Sequence, residues 1–325
     1  MNWSSIISEN KLVQSPKATA AIREWTDYCE LLTLSAEDGK MDSDQFCDRI
    51  LKSLDFKAID EDNRSKKEQR EKERLTSKIV DVYSHVRLRM SLIPEKYPFS
   101  INDDDQLCFL LDETRREQIL YLILLCASNL KYVKNESPLT SDLEVVSLLY
   151  MRKLYPSMTF KLFGSSNTNP HLSNNDSFLE AKLKDRMLKL ADFTFLGYHE
   201  EEIKEIDNQN HGDEGLDIVG ICSINDGRKS IPVMFGQCAC SREQWKQKQY
   251  STSNDLWIKY LKTYTTSIQR FIFVADWSIN SDKQLADEND ITNCVFIDRQ
   301  RLMMLADDSF LEKCGTLDIL NSEQQ

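Results

Sequence analysis

Apolar positions recur at helical spacing through the first half of the chain, and the period then changes. Ser15-Pro16 reads as a cap followed by a first-turn proline, with Ala18, Ile22, Trp25, Tyr28, Cys29 and Leu32 on one face. Asp42-Ser43 opens a second helix with Phe46, Ile50, Leu51 and Leu54 on one side. Residues 60–74 are almost wholly charged, with both signs mixed and no aromatics between, the pattern of a solvated helical extension or linker. Leu75, Ile79, Val80, Val82, Tyr83, Val86 and Met90 then resume the stripe up to Pro94. Asp103–Asp105 read as the cap of a helix whose centre, Ile119–Ala127, is apolar all round and therefore buried. After the break at Ser137-Pro138, Thr140–Tyr155 predicts a further helix with Leu143, Val146, Leu149, Tyr150 and Leu154 inward. Together these predict an all-helical domain over residues 1–155 that carries no chemistry and serves protein contacts or completes a core.

From Pro156 the texture is different. Met158–Phe163 reads as a short strand or a helix cap, and a loop rich in Ser, Asn and Thr follows. Ser177–Leu196 predicts a helix with Phe178, Leu179, Leu183, Met187, Leu188 and Ala191 inward, and Tyr198–Asn210 an acidic loop. Ser253–Tyr264 reads as helical. Arg270–Ala275 and Cys294–Ile297 are short β-branched and aromatic runs of the kind that form buried parallel strands. Asp298 caps a helix through Leu305, and the tail from Gly315 is polar. The expected fold class is α/β, with a helical region over 1–155 followed by an α/β domain over 156–325 built on a central mixed sheet.

The candidate chemistry lies in residues 213–248, DEGLDIVGICSINDGRKSIPVMFGQCACSREQWKQK. Leu216–Ile221 is apolar except for Asp217, and Ser230–Gln237 is a second such run ending in an amide. Asn225-Asp226-Gly227 between them is a hairpin signal, since glycine takes the positive φ of a tight turn. Ser241 then opens a helical turn that carries Lys246 and Lys248. A carboxylate inside an apolar strand is costly unless paired or metal-bound. An acid, an amide and lysines at one end of a hairpin suit phosphodiester hydrolysis, which needs a hard cation on oxygen ligands, a positioned water and positive charge near phosphorus. The register matters. If Asp226-Gly227 alone form the turn, Asp217 pairs with Gly236 and Gln237 points to the opposite face. A three-residue turn or a β-bulge puts Asp217 and Gln237 on one face, and the site requires one of these irregularities.

Asp213-x-Gly215-x-Asp217, followed after a hairpin by Gln237 at a strand end, resembles the restriction-endonuclease-like PD-(D/E)XK nucleases, and most closely the Mrr-like branch with Gln-x-Lys. The resemblance covers about residues 159–306. It implies a metal-dependent DNA endonuclease using Mg2+ (or Mn2+), with Asp217 and Gln237 as metal ligands and catalytic positions. It also implies a helix ahead of the first catalytic strand that carries a further acid, a place Glu180 matches; a solvated helical carboxylate is the ordinary alternative for Glu180. Where the superfamily has its lysine, two residues after Gln237, this chain has Ala239, and Lys248 or Lys246 on the following helix takes that role. A weaker likeness, through Gly236–Ala239 with Trp245 and Lys248, is to nuclease-like subunits of bacterial antiviral systems. That likeness implies other protein subunits as partners, an ATPase among them. The competing reading is a subunit of the same fold whose chemistry has lapsed. In a third, Asp213–Asp217 is a strand-entry turn and Gln237 a satisfied buried amide.

Charge favours the lapsed reading. The chain carries −12 over 325 residues, the wrong sign for gripping phosphates unaided. Over residues 160–260 there are 12 Lys and Arg against 15 Asp and Glu. A DNA grip would rest on a local patch (Lys182, Lys184, Arg186, Lys189, Arg242, Lys246, Lys248) or on a partner. The 9 cysteines include no CxxC pair, and the 4 histidines complete no zinc pattern. The N-terminus lacks a signal-peptide order, and Ile119–Ala127 is far too short to span a membrane. The chain reads as a cytoplasmic protein.

Overall fold

A computed structural model describes residues 1–53, 61–164, 169–224, 226, 228–262 and 267–322. The chain divides into two compact units. The first comprises Met1–Glu136, Trp277–Ala286 and Ile319–Gln325, and the second Ser137–Asp276 and Asp287–Asp318. Helix Ser137–Leu154, expected with the N-terminal domain, thus groups with the sheet.

The first unit holds helices α1 (Glu9–Leu12), α2 (Ile22–Ser35), α3 (Ser43–Ser53), α4 (Glu61–Leu92) and α5 (Arg116–Ala127). The charged run is a helical extension, because α4 continues unbroken from Glu61 into the apolar stripe. The region is not all-helical. Strands β1 (Lys40–Met41), β2 (Phe99–Ile101) and β3 (Leu107–Phe109) form an antiparallel sheet in the order β1-β3-β2. Asp103–Asp105, expected to cap α5, instead make the β2–β3 turn. There Asp105 takes φ 57° and the Asn102 Oδ1 accepts the N–H groups of Asp104 and Gln106. Strands of two or three residues are too short to show a period, which hid this sheet from sequence patterning.

The core of this unit contains charge. Arg89 Nη1 donates to Asp27 at 2.6 Å and to Glu30 at 2.7 Å, and all three side chains are fully buried. Tyr97 and Tyr121 donate their hydroxyls to Glu30 at 2.5 and 2.9 Å, and Asn129 donates to Asp27 at 3.0 Å. The Arg89 guanidinium also lies 5.0 Å from the Trp277 ring centroid. These donors offset the desolvation of two carboxylates.

The second unit is built on a five-stranded mixed sheet of β4 (Thr159–Leu162), β6 (Ile218–Ile221), β7 (Val233–Ala239), β9 (Gln269–Val274) and β10 (Val295–Ile297), in the order β10-β9-β7-β6-β4. β6 runs antiparallel to both β4 and β7, whereas β7, β9 and β10 are parallel. β5 (Gly197–Tyr198) and β8 (Leu261–Lys262) form a separate two-stranded ribbon. The α/β class and the mixed sheet expected from the sequence are present.

Helix α6 (Ser137–Leu154) packs on one face of the sheet, with Tyr150 6.3 Å from Phe273 and the following Tyr155 6.2 Å from Phe271 between ring centroids. Gly220 makes this face possible, because a Cβ there would stand 2.1 Å from the Phe160 ring. On the other face, Phe235 and Val219 pack with Phe163, Trp257 and the inner side of α7 (Leu183–Thr194): Leu183, Met187, Leu190 and Ala191. α7 starts later than expected, because Ser177 is held as an isolated bridge to Leu162. Short helices α8 (Glu200–Lys204), α9 (Trp245–Lys248), α10 (Asn254–Trp257), α11 (Arg299–Leu305) and α12 (Asp308–Leu311) fill the connections. The tail carries α13 (Thr316–Ser322), started by the buried Asp142 carboxylate, which accepts the N–H groups of Gly315 and Thr316 at 2.7 and 3.0 Å. No helix among the described residues is long and apolar enough to cross a membrane.

The Arg89 network sets a stability test. Arg89→Met leaves two carboxylates buried without their cation and should cost about 3–5 kcal/mol. Urea unfolding measures it, and a loss below about 1 kcal/mol would mean that the network contributes little.

Candidate active site

The hairpin of β6 and β7 places the first two side chains. Ile218 pairs with Gly236 and Ile221 with Val233, so the ladder is offset by one residue from the arrangement a lone Asp226-Gly227 turn would impose. The change of parity comes from the length of the connection, residues 222–232. The turn residues Asn225 and Gly227 lie outside the described residues. Asp217 consequently shares a face with Gln237, as the sequence argument required. Gln237 Nε2 donates to Asp217 Oδ2 at 2.6 Å, and the Cys238 N–H donates to the same oxygen at 2.6 Å.

The approach to β6 is equally specific. Asp213 Oδ1 accepts the Gly215 N–H at 2.8 Å, and Glu214 and Gly215 take φ 51° and 73° in succession. A Cβ on Gly215 would lie 2.5 Å from the Ser251 Cβ, so only glycine fits. This tight entry swings Asp213 back toward Asp217.

The third carboxylate comes from an unexpected place. A Cβ built on Gly164, just past the end of β4, would meet Asp217 Oδ1 and Glu144 Oε2 at 3.3 Å each and Asp213 Oδ2 at 3.8 Å. Three carboxylates from α6, the β6 entry and β6 therefore surround one small space, left open because residue 164 has no side chain. Burial pushes the Asp217 carboxyl up to about 7, and Asp213 adds to the rise. The Cys238 N–H, Lys248 and the Gln237 amide pull the other way. Glu144 is raised well above the ordinary carboxylate range by burial and by the charges of Asp217 and Asp213, with Lys248 easing it.

Lys248, at the end of α9, donates through Nζ to the Cys238 carbonyl at 3.4 Å, and its charge acts on both Asp217 and Glu144. The structure thus brings together Asp217, Gln237 and Lys248. Lys246 points elsewhere, bonded to Asp290 at 2.5 Å, because residues two apart on a helix lie about 200° apart around its axis. Glu180 is not on a helix; it precedes α7, and its charge acts on Arg186. The acid-bearing helix ahead of β4 is α6, and its acid is Glu144. A signal for it was present: Asp142 and Glu144 are charged residues in a helix otherwise buried on nearly every side. The expected basic patch also shrinks, since Arg186 is buried and Arg242 is bonded to Asp276 at 2.8 Å.

These groups are hard oxygen donors of the kind that hold Mg2+ or Mn2+. Gln237 Oε1 is buried and has no hydrogen-bond partner among the described residues. The amide is therefore only half satisfied, and the chemistry of these donors, though not their spacing, suits such an ion. Among the described residues no group of three or more His, Cys, Asp or Glu side chains is placed to hold a metal ion; the carboxylates line a space rather than close on a point. No protein-family model, curated protein or solved structure matches the chain.

The raised carboxyl of Asp217 makes stability depend on pH. Its unfolded-state value is near 3.8 and its folded value about 7, so the folded state holds the proton more tightly and loses stability as pH rises from about 4 to about 7. Asp217→Asn lacks this term. In EDTA, the melting temperature of the variant relative to wild type should climb across that window and level off above it. A constant difference would show that the carboxyl is not raised.

Proposed function

We propose that the chain is a metal-dependent phosphodiesterase, an endonuclease acting on DNA with Mg2+ (or Mn2+). The observation that carries this reading is the convergence of Glu144, Asp213 and Asp217 with the unpartnered Gln237 oxygen and the Lys248 ammonium. Mutually repelling carboxylates held in a buried space are relieved most directly by a divalent cation. Asp217, Gln237 and Glu144 would hold it. A cation there supplies Lewis acidity toward a phosphoryl oxygen and lowers the pKa of a bound water.

The chain's own residues do the rest. The Cys238 N–H and Gln237 amide orient Asp217, and Lys248 is within reach of the strand end to neutralise charge developing on phosphate. The order of α6, the antiparallel β4, β6 and β7, and the parallel β9 supports the PD-(D/E)XK reading. So does an acid on the helix preceding the first strand.

The −12 charge supports a partner that supplies the grip on nucleic acid. The likeness to antiviral subunits extends the proposal to a defence complex that includes an ATPase. The second reading, a scaffold with lapsed chemistry, draws on Ala239 at the usual lysine position.

Supercoiled DNA incubated with the protein and Mg2+ or Mn2+ should be nicked, with single-stranded RNA as a parallel substrate. Asp217→Asn, Glu144→Gln and Lys248→Ala should each lower the rate by about 10²-fold or more. Cleavage of RNA alone would change the substrate. No cleavage by wild type, with its partner subunits present, would favour the scaffold.

A further inference from the structure

Arg186, on α7, sits behind the carboxylate space and belongs to none of the roles above. Its side chain is buried, with 1% exposure. Nη1 donates to the Phe163 carbonyl at 2.7 Å, and Nη2 donates to the carbonyls of His211, at 2.9 Å, and Gly212. Its guanidinium carbon lies 5.3 Å from the Phe163 ring centroid. Phe163 immediately precedes Gly164, and Gly212 immediately precedes Asp213. One cation therefore ties together the two chain segments that deliver the open wall and one carboxylate of the candidate site. The Phe163 N–H continues the tie by donating to the Asp217 carbonyl at 2.7 Å.

A buried arginine is costly, and a hydrophobic side chain would pack α7 against this core at less cost. Three carbonyls accept from its two Nη groups, Nε is buried without a partner, and no carboxylate among the described residues is hydrogen-bonded to it. The anions acting on it are Asp213 and Glu180, through space. An arginine has two uses here that no apolar residue has: a rigid fork that spans carbonyls on two separate segments, and a positive charge beside the carboxylates when no cation is bound.

We propose that Arg186 is a positioning residue for cation binding, holding the 163–164 and 211–213 segments at the separation that lets Asp213, Asp217 and Glu144 share one ion. The proposal rests on the reading of these carboxylates as a cation site. Residues that orient ligands without touching the ion shift metal affinity by about 10–100-fold.

The test is direct binding of Mn2+ to the full chain, read from the electron paramagnetic resonance signal of free Mn2+, without substrate. Wild type should bind, and Asp217→Asn should not. Arg186→Met should bind at least about 10-fold more weakly. Leu190→Ala, a cavity one turn further along the same helix that leaves the Arg186 hydrogen bonds in place, controls for destabilisation and should keep the wild-type affinity. Arg186→Lys retains the charge but cannot span both segments, and should fall between. If Arg186→Met does not fold, Arg186→Lys against Leu190→Ala decides.

Wild-type affinity in the folded Arg186 variants, or equal weakening in Leu190→Ala, would overturn the positioning role while leaving the cation site standing. Wild type that binds Mn2+ no better than Asp217→Asn would instead remove the cation site itself, and the positioning role with it.

Discussion

Repulsion among the carboxylates of Asp217, Asp213 and Glu144 is the constraint on which the candidate site depends. Asp217 and Glu144 are raised by burial, Asp213 adds to the rise of both, and Asp217 adds to that of Glu144. A fold that only needed stability would replace them with apolar residues of similar volume, since burying like charges opposes folding. Around Asp217 the chain supplies partial compensation. Two donors reach one oxygen of Asp217, and Lys248 approaches from the strand end. The Gln237 oxygen has no donor among the described residues. An arrangement poised in this way has room for one more positive charge.

The surrounding architecture serves that poise. Gly215 and Gly164 are bare for different reasons: one lets the chain turn sharply against Ser251, and the other keeps open the space the carboxylates line. The β6–β7 register puts Asp217 and Gln237 on one face. Helix α6 covers the opposite face and carries Glu144 at the level where β4 ends. The charged core of the first unit is a different matter. Its two acids and one arginine are fully buried and bonded to tyrosines and amides, the condition under which a buried network specifies packing. It offers no group for chemistry.

Much of the site was legible in residues 213–248, because the hairpin, its acid, its amide and the lysine that follows are close in sequence and strand alternation obeys a simple period. Asp217, Gln237 and Lys248 were found that way. Lys246 was separated from Lys248 only by the helical turn they share and by Asp290, some forty residues further on. The sequence offers two helices ahead of β6, and the expected acid, Glu180, is matched to the second of them, Ser177–Leu196. The acid that reaches the site comes instead from α6, the helix ahead of β4, while a bridge to Leu162 takes the start of the 177–196 stretch out of α7. The three-stranded sheet of the first unit was invisible for a similar reason: strands of two and three residues exist only through their partners.

Local patterning therefore determined the elements with a long period or a strong turn signal: the central helices, the buried parallel strands, and a hairpin bearing a carboxylate where apolar residues belong. Those follow from how side chains repeat along a helix or strand. Tertiary structure alone decided that an acid from α6 meets two from the approach to and start of β6, and that a buried arginine spans their two backbone segments. Such contacts join positions about 20 to 75 residues apart, and they form only when the whole sheet closes, so no short window of sequence can contain them.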